Sequence, residues 1–471
     1  MGSTVSGKKR GAIFLTGNLL GHVVRMSLTA SIGLSAMFAV DFVDMIFISM
    51  LGNNALAAAV GYAGTLLFFT NSINIGLSIA AGSLVARSIG ADRPEDASRY
   101  ATNVALFAAG IGIVLPLVLL PNLRPVFGLL GAEGEVLDLA IRYVRLILPT
   151  MSVLGVAFSA SAVLRAHGDA RRSMLVTLYG GIVNAILDPL FIFTLDLGLE
   201  GAALASVAAR LTMLVAALWP AIRLYGAFAR PRLPAFLGDL RAIRAIALPA
   251  VLANVATPVG NALVTRELAQ FGTEAVAGMA VIGRLMPVAF AVIFALSGAI
   301  GPIIGQNFGA GQSERVRGAF VDGIRFTLVY VLLASAILFL LRAPIADAFR
   351  AAGETRTLIY LFCGPLALAT FFNGVIFVAN ASFNNLDHAI YSTEINWGRH
   401  TLGTWPFAVL GGKLGGASGV LLGQALGGVF FAALAWWLAA RVMSRLVGRT
   451  GKPDAFIQQS RLQALFGRCG W

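Results

Sequence analysis

Charge is scarce in this chain. Of its 471 residues, 12% are Asp, Glu, Lys or Arg and 58% are hydrophobic, with a mean hydropathy of +0.82. A soluble protein carries about twice that charged fraction, so a soluble globular domain is excluded and an all-α membrane protein is indicated. Histidine is limited to four residues and cysteine to Cys363 and Cys469. Cys363 lies inside an apolar run and reads as packing, Cys469 lies near the C-terminus, and neither has metal-ligand spacing, so a Cys/His metal centre is not indicated. No GxxxxGK[ST] run occurs, so ATP is not the direct energy source. No Ser/His/Asp set rises above chance, and the chain does not read as an enzyme. Strands of about ten residues with apolar and polar alternation are missing, which excludes an outer-membrane barrel. Lys8, Lys9 and Arg10 are not followed by a short apolar region with a small-residue cleavage site, so the N-terminus reads as an uncleaved cytoplasmic start.

Apolar length and glycine are abundant. Fifty-three glycines suit close helix packing and broken helices in lipid. Twelve apolar runs of spanning length follow one another, approximately 28–50, 56–86, 100–120, 136–164, 173–194, 201–225, 242–270, 274–306, 318–341, 355–382, 389–410 and 417–441. The net charge of +13 is concentrated in short loops, where it sets topology, so nucleic acid is not an expected partner. Lys8 to Arg10, Arg87/Arg93/Arg99, Arg165/Arg171/Arg172, Arg223/Arg230/Arg232/Arg241, Arg315/Arg317 and Arg441/Arg445 fall on the N-terminus and on alternate loops. The intervening loops, LGNN at 51–54 and FGTE at 271–274, are poorer. The Lys/Arg rule then places both termini in the cytoplasm of a protein integral to the cytoplasmic (inner) membrane.

The chain also repeats itself. GSLVARSIGADRPEDASRY from Gly82 is echoed by GPIIGQNFGAGQSERVRGAF from Gly301, about 219 residues later. LGNNALAA at 51 is echoed by FGTEAVAG at 271, and HGDA at 167 by LDHA at 386. Offsets near half the chain mark an internal duplication. Six spans per unit is an even number, so both halves enter the membrane in the same sense, related by an axis along the membrane normal with a cleft between them. The expected domains are an N-terminal six-helix lobe (1–225), a cytoplasmic linker (226–241), a C-terminal six-helix lobe (242–441) and a cytoplasmic tail (442–471).

Polar residues inside the spans then carry the functional argument. In GGIVNAILDPLFIF, Asn184 and Asp188 are four apart and share one helical face, while Pro189 leaves the carbonyl of Ala185 without its helical partner. A carboxylate at mid-span costs about 2.5–3.5 kcal/mol on the insertion scale, and its default reading is functional. Span 1 carries Asp41 and Asp44 on one face, Asp44 about 12 Å of helix from the Gly of the outer loop. At the repeat-equivalent positions the second half has Leu402, Pro406 and Val264, so ion chemistry belongs to the N-terminal half. The C-terminal candidates are Glu267, Arg266, Arg284, Glu394, Arg399 and His400. For Glu394, Arg399 and His400, mutual pairing and contact with a substrate both stay open. Phe68, Phe69, Phe371, Phe372 and Trp397 read as packing.

FVDxIFIxxLGxxALAA in span 1, LRAHGDARRS, NAILDPLFIFxxxLGLEGAALAS and GQNFGAGQSERVR together resemble the multidrug and toxic compound extrusion (MATE) family, over nearly the whole chain. The two-Asp pattern is similar to the family's DinF-like branch. The resemblance implies twelve transmembrane helices in a V of two six-helix lobes and export of cationic, amphipathic small molecules in exchange for H⁺ or Na⁺. It implies that the N-lobe cation site falls on Asp44, Asn184 and Asp188, which would also be the Na⁺ ligands, with Ser206 as the hydroxyl residue. Asp41 lies outside that pattern. No cofactor is expected beyond the coupling ion, and the partners expected are small-molecule substrates and membrane lipids, with the chain working as a monomer. The rival reading is a lipid or lipid-linked oligosaccharide flippase of the same architecture. It predicts a basic central cleft, whereas the deep charges of the N-half are acidic.

Overall fold

A computed structural model describes residues 11–51 and 54–447. The basic start Lys8 to Arg10, positions 52–53, the tail beyond 447 with Cys469, and the side chain of Asp41 lie outside that description.

Every described span is helical, because an α-helix satisfies its own backbone groups where no water can. The spans are α1 (Leu19–Met50), α2 (Asn54–Gly90), α3 (Pro94–Leu129), α4 (Gly134–Ala166), α5 (Ala170–Thr194) and α6 (Gly198–Arg223) in the first half. The second half has α7 (Leu233–Ala269), α8 in two pieces (Thr273–Ala289 and Ala291–Gly309), α9 (Ser313–Ala348) and α10 (Gly353–Asn385). By length the run Ile390–Leu446 counts as one span. It is two, because the backbone leaves helical geometry at Gly415 and Gly416, the latter at φ 59°. That left-handed step is open to glycine, and it divides α11 (390–414) from α12 (417–447). Breaks inside spans coincide with prolines that cannot donate to the ladder. They are Pro121 in α3, Pro149 in α4, Pro189 before the π segment of α5, and Pro365 in the π segment of α10. The linker expected over 226–241 is non-helical only as far as Arg232, because Pro234 sits in the first turn of α7 and the helix starts there.

Among the described residues the apolar core has four parts, and their membership gives the shape. One cluster draws only on the N-lobe (Ala59 to Ala203) and one only on the C-lobe (Val264 to Leu421). The other two are mixed. Val23 and Met26 of α1 pack among C-lobe residues, while Ile243, Ile246 and Ala247 of α7 pack among N-lobe residues. Val23 and Met26 are the repeat equivalents of Ile243 and Ile246 at an offset of about 220. Each lobe therefore lends the first part of its first helix to the other at the arginine-rich end. Towards the opposite end the lobes hold separate cores, which fits the cleft expected from the duplication and the V that the family resemblance implies.

Polar contacts secure the closed end. Arg87, 1% exposed, donates to both oxygens of Asp387 across the lobes at 2.6 and 2.7 Å. Ser83 Oγ donates to the carbonyl of Asn384 at 2.9 Å. Gln306, the repeat equivalent of Arg87, donates to the carbonyl of Ala166 at 2.8 Å and accepts from the backbone N–H of Phe14 at 3.0 Å. The turn before α1 thereby seats Phe14 under both lobes, with Arg315 and Asn307 donating to its carbonyl at 2.8 and 3.2 Å. Gly90 and Gly309, also repeat equivalents, let α2 and α8 cross at backbone contact: a Cβ on Gly90 would meet the carbonyl of Gln306, and one on Gly309 that of Arg87.

The two copies of the HGDA/LDHA motif have diverged. Asp387 reaches across to Arg87, whereas Asp169 caps its own helix, accepting from the N–H of Arg172 at 3.0 Å and from the Tyr225 hydroxyl at 2.7 Å. Burial opposes the charge on Asp169, but the hydrogen bonds from Arg172 and Tyr225 outweigh it and hold its pKa below the usual carboxylate value.

Two outcomes follow for the closed end. In a background lacking Cys363 and Cys469, Gly309→Ala and Asp387→Ala should each speed maleimide labelling of a cysteine placed at Ser83; unchanged labelling would mean that these contacts do not hold the lobes together. Because the folded pKa of Asp169 is depressed, its carboxylate stabilises above its unfolded pKa of about 3.9, and that contribution fades as pH falls through the folded value. Asp169→Asn should therefore lower the Tm at pH 7, and the gap from wild type should narrow below about pH 4.

Candidate functional site

α5 brings two polar side chains to one face inside the N-lobe. Asn184 and Asp188, one turn apart, are 8% and 0% exposed. Beyond them Pro189 offers no N–H to the carbonyl of Ala185, and the helix widens into the π segment Leu190–Thr194. α1 packs along α5 and presents the half-buried Asp44 opposite. The Asn184 amide donates to Asp188 Oδ2 at 2.7 Å and reaches both oxygens of Asp44 at 3.5 Å. The two carboxyls face each other closely enough to interact directly. Asp188 Oδ1 is enclosed and makes no hydrogen bond of ordinary geometry among the described residues.

This arrangement constrains the chemistry. Two carboxyls in contact inside an apolar lobe do not both stay charged unless a cation joins them. The pair therefore suits either a shared proton or a small bound cation. Asn184 turns its N–H groups to both acids, so the groups around them donate as well as accept. Na⁺, a hard ion that takes oxygen ligands, would require the amide turned over to offer its oxygen.

Three of the sequence-predicted residues are thus gathered at one point. Ser206 stands one step away: its hydroxyl lies beside the Tyr143 phenol, which is itself near Asp44 and Asp188. Tyr143, buried on α4, is a site residue that the sequence does not single out; its only mark is a polar-tipped side chain on the buried face of an amphipathic segment. Arg210, one turn beyond Ser206, is a second. It donates to the Ile147 carbonyl at 3.1 Å and the Thr150 hydroxyl at 2.9 Å, tying α6 to the proline break in α4. Asp41 precedes Asp44 on α1, but its side chain is outside the described residues.

The C-lobe candidates do not assemble into one site. Glu267 accepts from Gln270 at 3.1 Å near the end of α7, Arg284 is exposed on α8, and Glu394 is exposed on α11. Pairing of Glu394 with Arg399 and His400 is not found among the described residues. Five positions along a helix put Glu394 on a different face from Arg399. His400, 3% exposed, packs against Gly260 of α7 instead. Trp397 Nε1 donates to the Leu252 carbonyl at 3.0 Å, and Phe371 and Phe372 form an edge-to-face pair at 5.4 Å, both packing roles.

Known proteins fit this architecture. The MatE family profile matches residues 27–190 and again 249–410, once per lobe. An FAD transporter of Shewanella oneidensis is 28% identical over 435 residues, 90% of this chain and 95% of its own. A probable multidrug resistance protein NorM of Thermotoga maritima is 25% identical over 62% of this chain and 64% of its own. Among solved structures, a mutant of the Vibrio cholerae MATE transporter VcmN has a TM-score of 0.85 at 24% identity, over 91% of this chain and 97% of that one. A MATE transporter in an outward-facing conformation has a TM-score of 0.86 at 24% identity, over 93% and 99%. At that identity the likeness shows the fold.

Two substitutions separate the roles inside the acid pair. Asn184→Ala strips both carboxyls of their shared donor and should cost about 1–3 kcal/mol, seen as a lower Tm in detergent. Asp188→Asn removes one of two crowded acids and should leave the Tm level or raise it. A fall as large as that of Asn184→Ala would mean that the acids are not crowded.

Proposed function

The chain belongs to the MATE family of membrane transporters, and from that premise we propose that it is a cation-coupled antiporter that exports small amphipathic molecules by alternating access. The observation that carries this reading is the Asp44–Asn184–Asp188 cluster, present in one copy of a duplicated unit and replaced in the other. A scaffold with no energetic task has no reason to keep two acids in contact inside lipid.

In this reading the arginine-rich end is cytoplasmic by the Lys/Arg rule, and the lobes part on the outer side, where the coupling ion enters. Binding discharges the acid pair and relaxes the hold of Asn184 on α1 and α5, which favours release of the substrate outward. Linkage makes the effect reciprocal, so a substrate arriving from the cytoplasm loosens the ion. The orientation of Asn184, donating to both acids, favours H⁺ over Na⁺ as that ion. One proton moving across 100 mV yields about 2.3 kcal/mol and one pH unit about 1.4 kcal/mol more. Together these support roughly a several-hundred-fold gradient of a neutral substrate. The relatives named as an FAD transporter and as multidrug resistance proteins widen the candidate cargo from organic cations to other amphipathic molecules. The protein works as a monomer in the inner membrane.

The test is efflux of ethidium from proteoliposomes under an imposed pH gradient or an imposed Na⁺ gradient. A pH gradient should drive export, and Asp44→Asn and Asp188→Asn should each reduce it by at least about tenfold, the scale of one lost essential proton transfer. Drive by Na⁺ alone would reassign the ion. Full coupled efflux in both variants would remove the site.

A further inference from the structure

α11 is the repeat counterpart of α5, the helix that holds Asn184 and Asp188. Where α5 has Gly180 and Gly181, about 219 residues earlier, α11 has Arg399 and His400. The deep charge on this helix therefore differs in sign between the lobes: Asp188 on α5, Arg399 on α11.

Arg399 has no ion pair and no side-chain hydrogen bond among the described residues, although it lies at mid-span on a partly buried face. The acids nearest in the chain are committed elsewhere, Asp387 to Arg87 and Glu394 to the exposed face of α11. The direction of Arg399 follows from the register of α11 on α10. Ser392 Oγ donates to Asn384 Oδ1 of α10 at 3.2 Å. Arg399 is seven residues, two turns, beyond Ser392 and shares its face. Asn380 is one turn from Asn384 on the antiparallel α10, and its Oδ1 is enclosed without a partner. His400, on the next face, closes the α7 side against Gly260, and its Nδ1 is likewise enclosed without a partner. The strip runs from the closed, arginine-rich end towards the part of the molecule where the lobes hold separate cores.

A guanidinium kept inside a span without an acid is an open half of an ion pair, and intramembrane charges of this kind mark substrate paths. We propose that Arg399, with the polar strip of α10 and α11, is a C-lobe site for the anionic group of an amphipathic molecule, carboxylate, sulfonate or phosphate. The inference rests on the transporter reading above and names a substrate class for it. Arg399 presents up to five donors in a fixed fork, a shape that suits two oxygens of one anionic group, and with no carboxylate against it among the described residues that fork is left for a ligand. The exported molecule is then an amphipathic anion or zwitterion: its anionic end sits on the C-lobe while the N-lobe acids trade the coupling ion. The same chemistry is offered by a lipid phosphate, so the experiment has to separate the two.

Proteoliposomes of neutral phosphatidylcholine, and others with phosphatidylglycerol added, are loaded with carboxyfluorescein or with rhodamine 123, dyes that share one tricyclic frame; the first is an anion, and the second, its carboxyl esterified, is a cation with no anionic group. Wild type should export both dyes in either lipid. Arg399→Gln should lower kcat/KM for carboxyfluorescein about tenfold or more, the loss of one charge-assisted hydrogen bond, and leave rhodamine 123 within about twofold. Arg399→Lys should recover part of the anion export. Export of rhodamine 123 also reports that the variant is folded. If wild type exports rhodamine 123 but not carboxyfluorescein, or if Arg399→Gln affects both dyes alike, the anion site is wrong while the transporter reading stands. If the Arg399→Gln effect appears only with phosphatidylglycerol, Arg399 holds a lipid and the proposal is overturned. If wild type exports neither dye, the transporter reading itself fails.

Discussion

A charge carried into hydrocarbon has to be neutralised where it stands, because no water reaches it and the bilayer does not screen it. Most of what distinguishes this molecule from a plain bundle of apolar helices follows from how it meets that requirement. At the closed end, Arg87 is met by Asp387 of the other lobe, so the same pair that discharges a buried guanidinium also joins the two halves. In the N-lobe, two acids lie against each other and are met by the amide of Asn184. In the C-lobe, Arg399 is met by nothing among the described residues.

These three answers occur on equivalent scaffolding. The duplication supplies matched crossings, with Gly90 against Gln306 and Gly309 against Arg87, and matched exchanges of apolar residues between lobes through Val23 and Met26 or Ile243 and Ile246. In the transport cycle proposed above, asymmetry of charge gives the motion of the lobes a direction, because the coupling ion acts on the acid-bearing lobe. The Asp169 and Asp387 pair shows the same divergence on a small scale: one stays home as a helix cap, the other crosses the seam.

Much of this was legible in one dimension. Twelve apolar runs, the offset near 219 and the alternation of basic loops require no three-dimensional information, because span length, repeat period and loop charge are properties of order along the chain. Asn184 and Asp188 were readable as a pair because a helix turns residues four apart onto one face. Asp44 was readable as a deep acid, but its meeting with Asn184 across 140 positions was not implied by spacing and entered through family resemblance. Tyr143 was missed, since a tyrosine in an amphipathic stretch carries no motif. Nearness in sequence left the pairing of Glu394 with Arg399 open, and a helix converts that nearness into separation around its axis.

The sequence by itself determined the class of molecule, its span count, its duplication and the lobe in which acids lie buried. These depend on local hydropathy and periodicity, which the bilayer reads one helix at a time. Only the tertiary structure decided which charges meet. The Arg87–Asp387 pair, the reach of Asn184 to both acids, the seat of Phe14 under the lobes and the lack of a partner for Arg399 among the described residues each depend on how helices far apart in the chain lie against one another. Helix packing sets those distances, through small side chains and backbone contacts that no local pattern encodes.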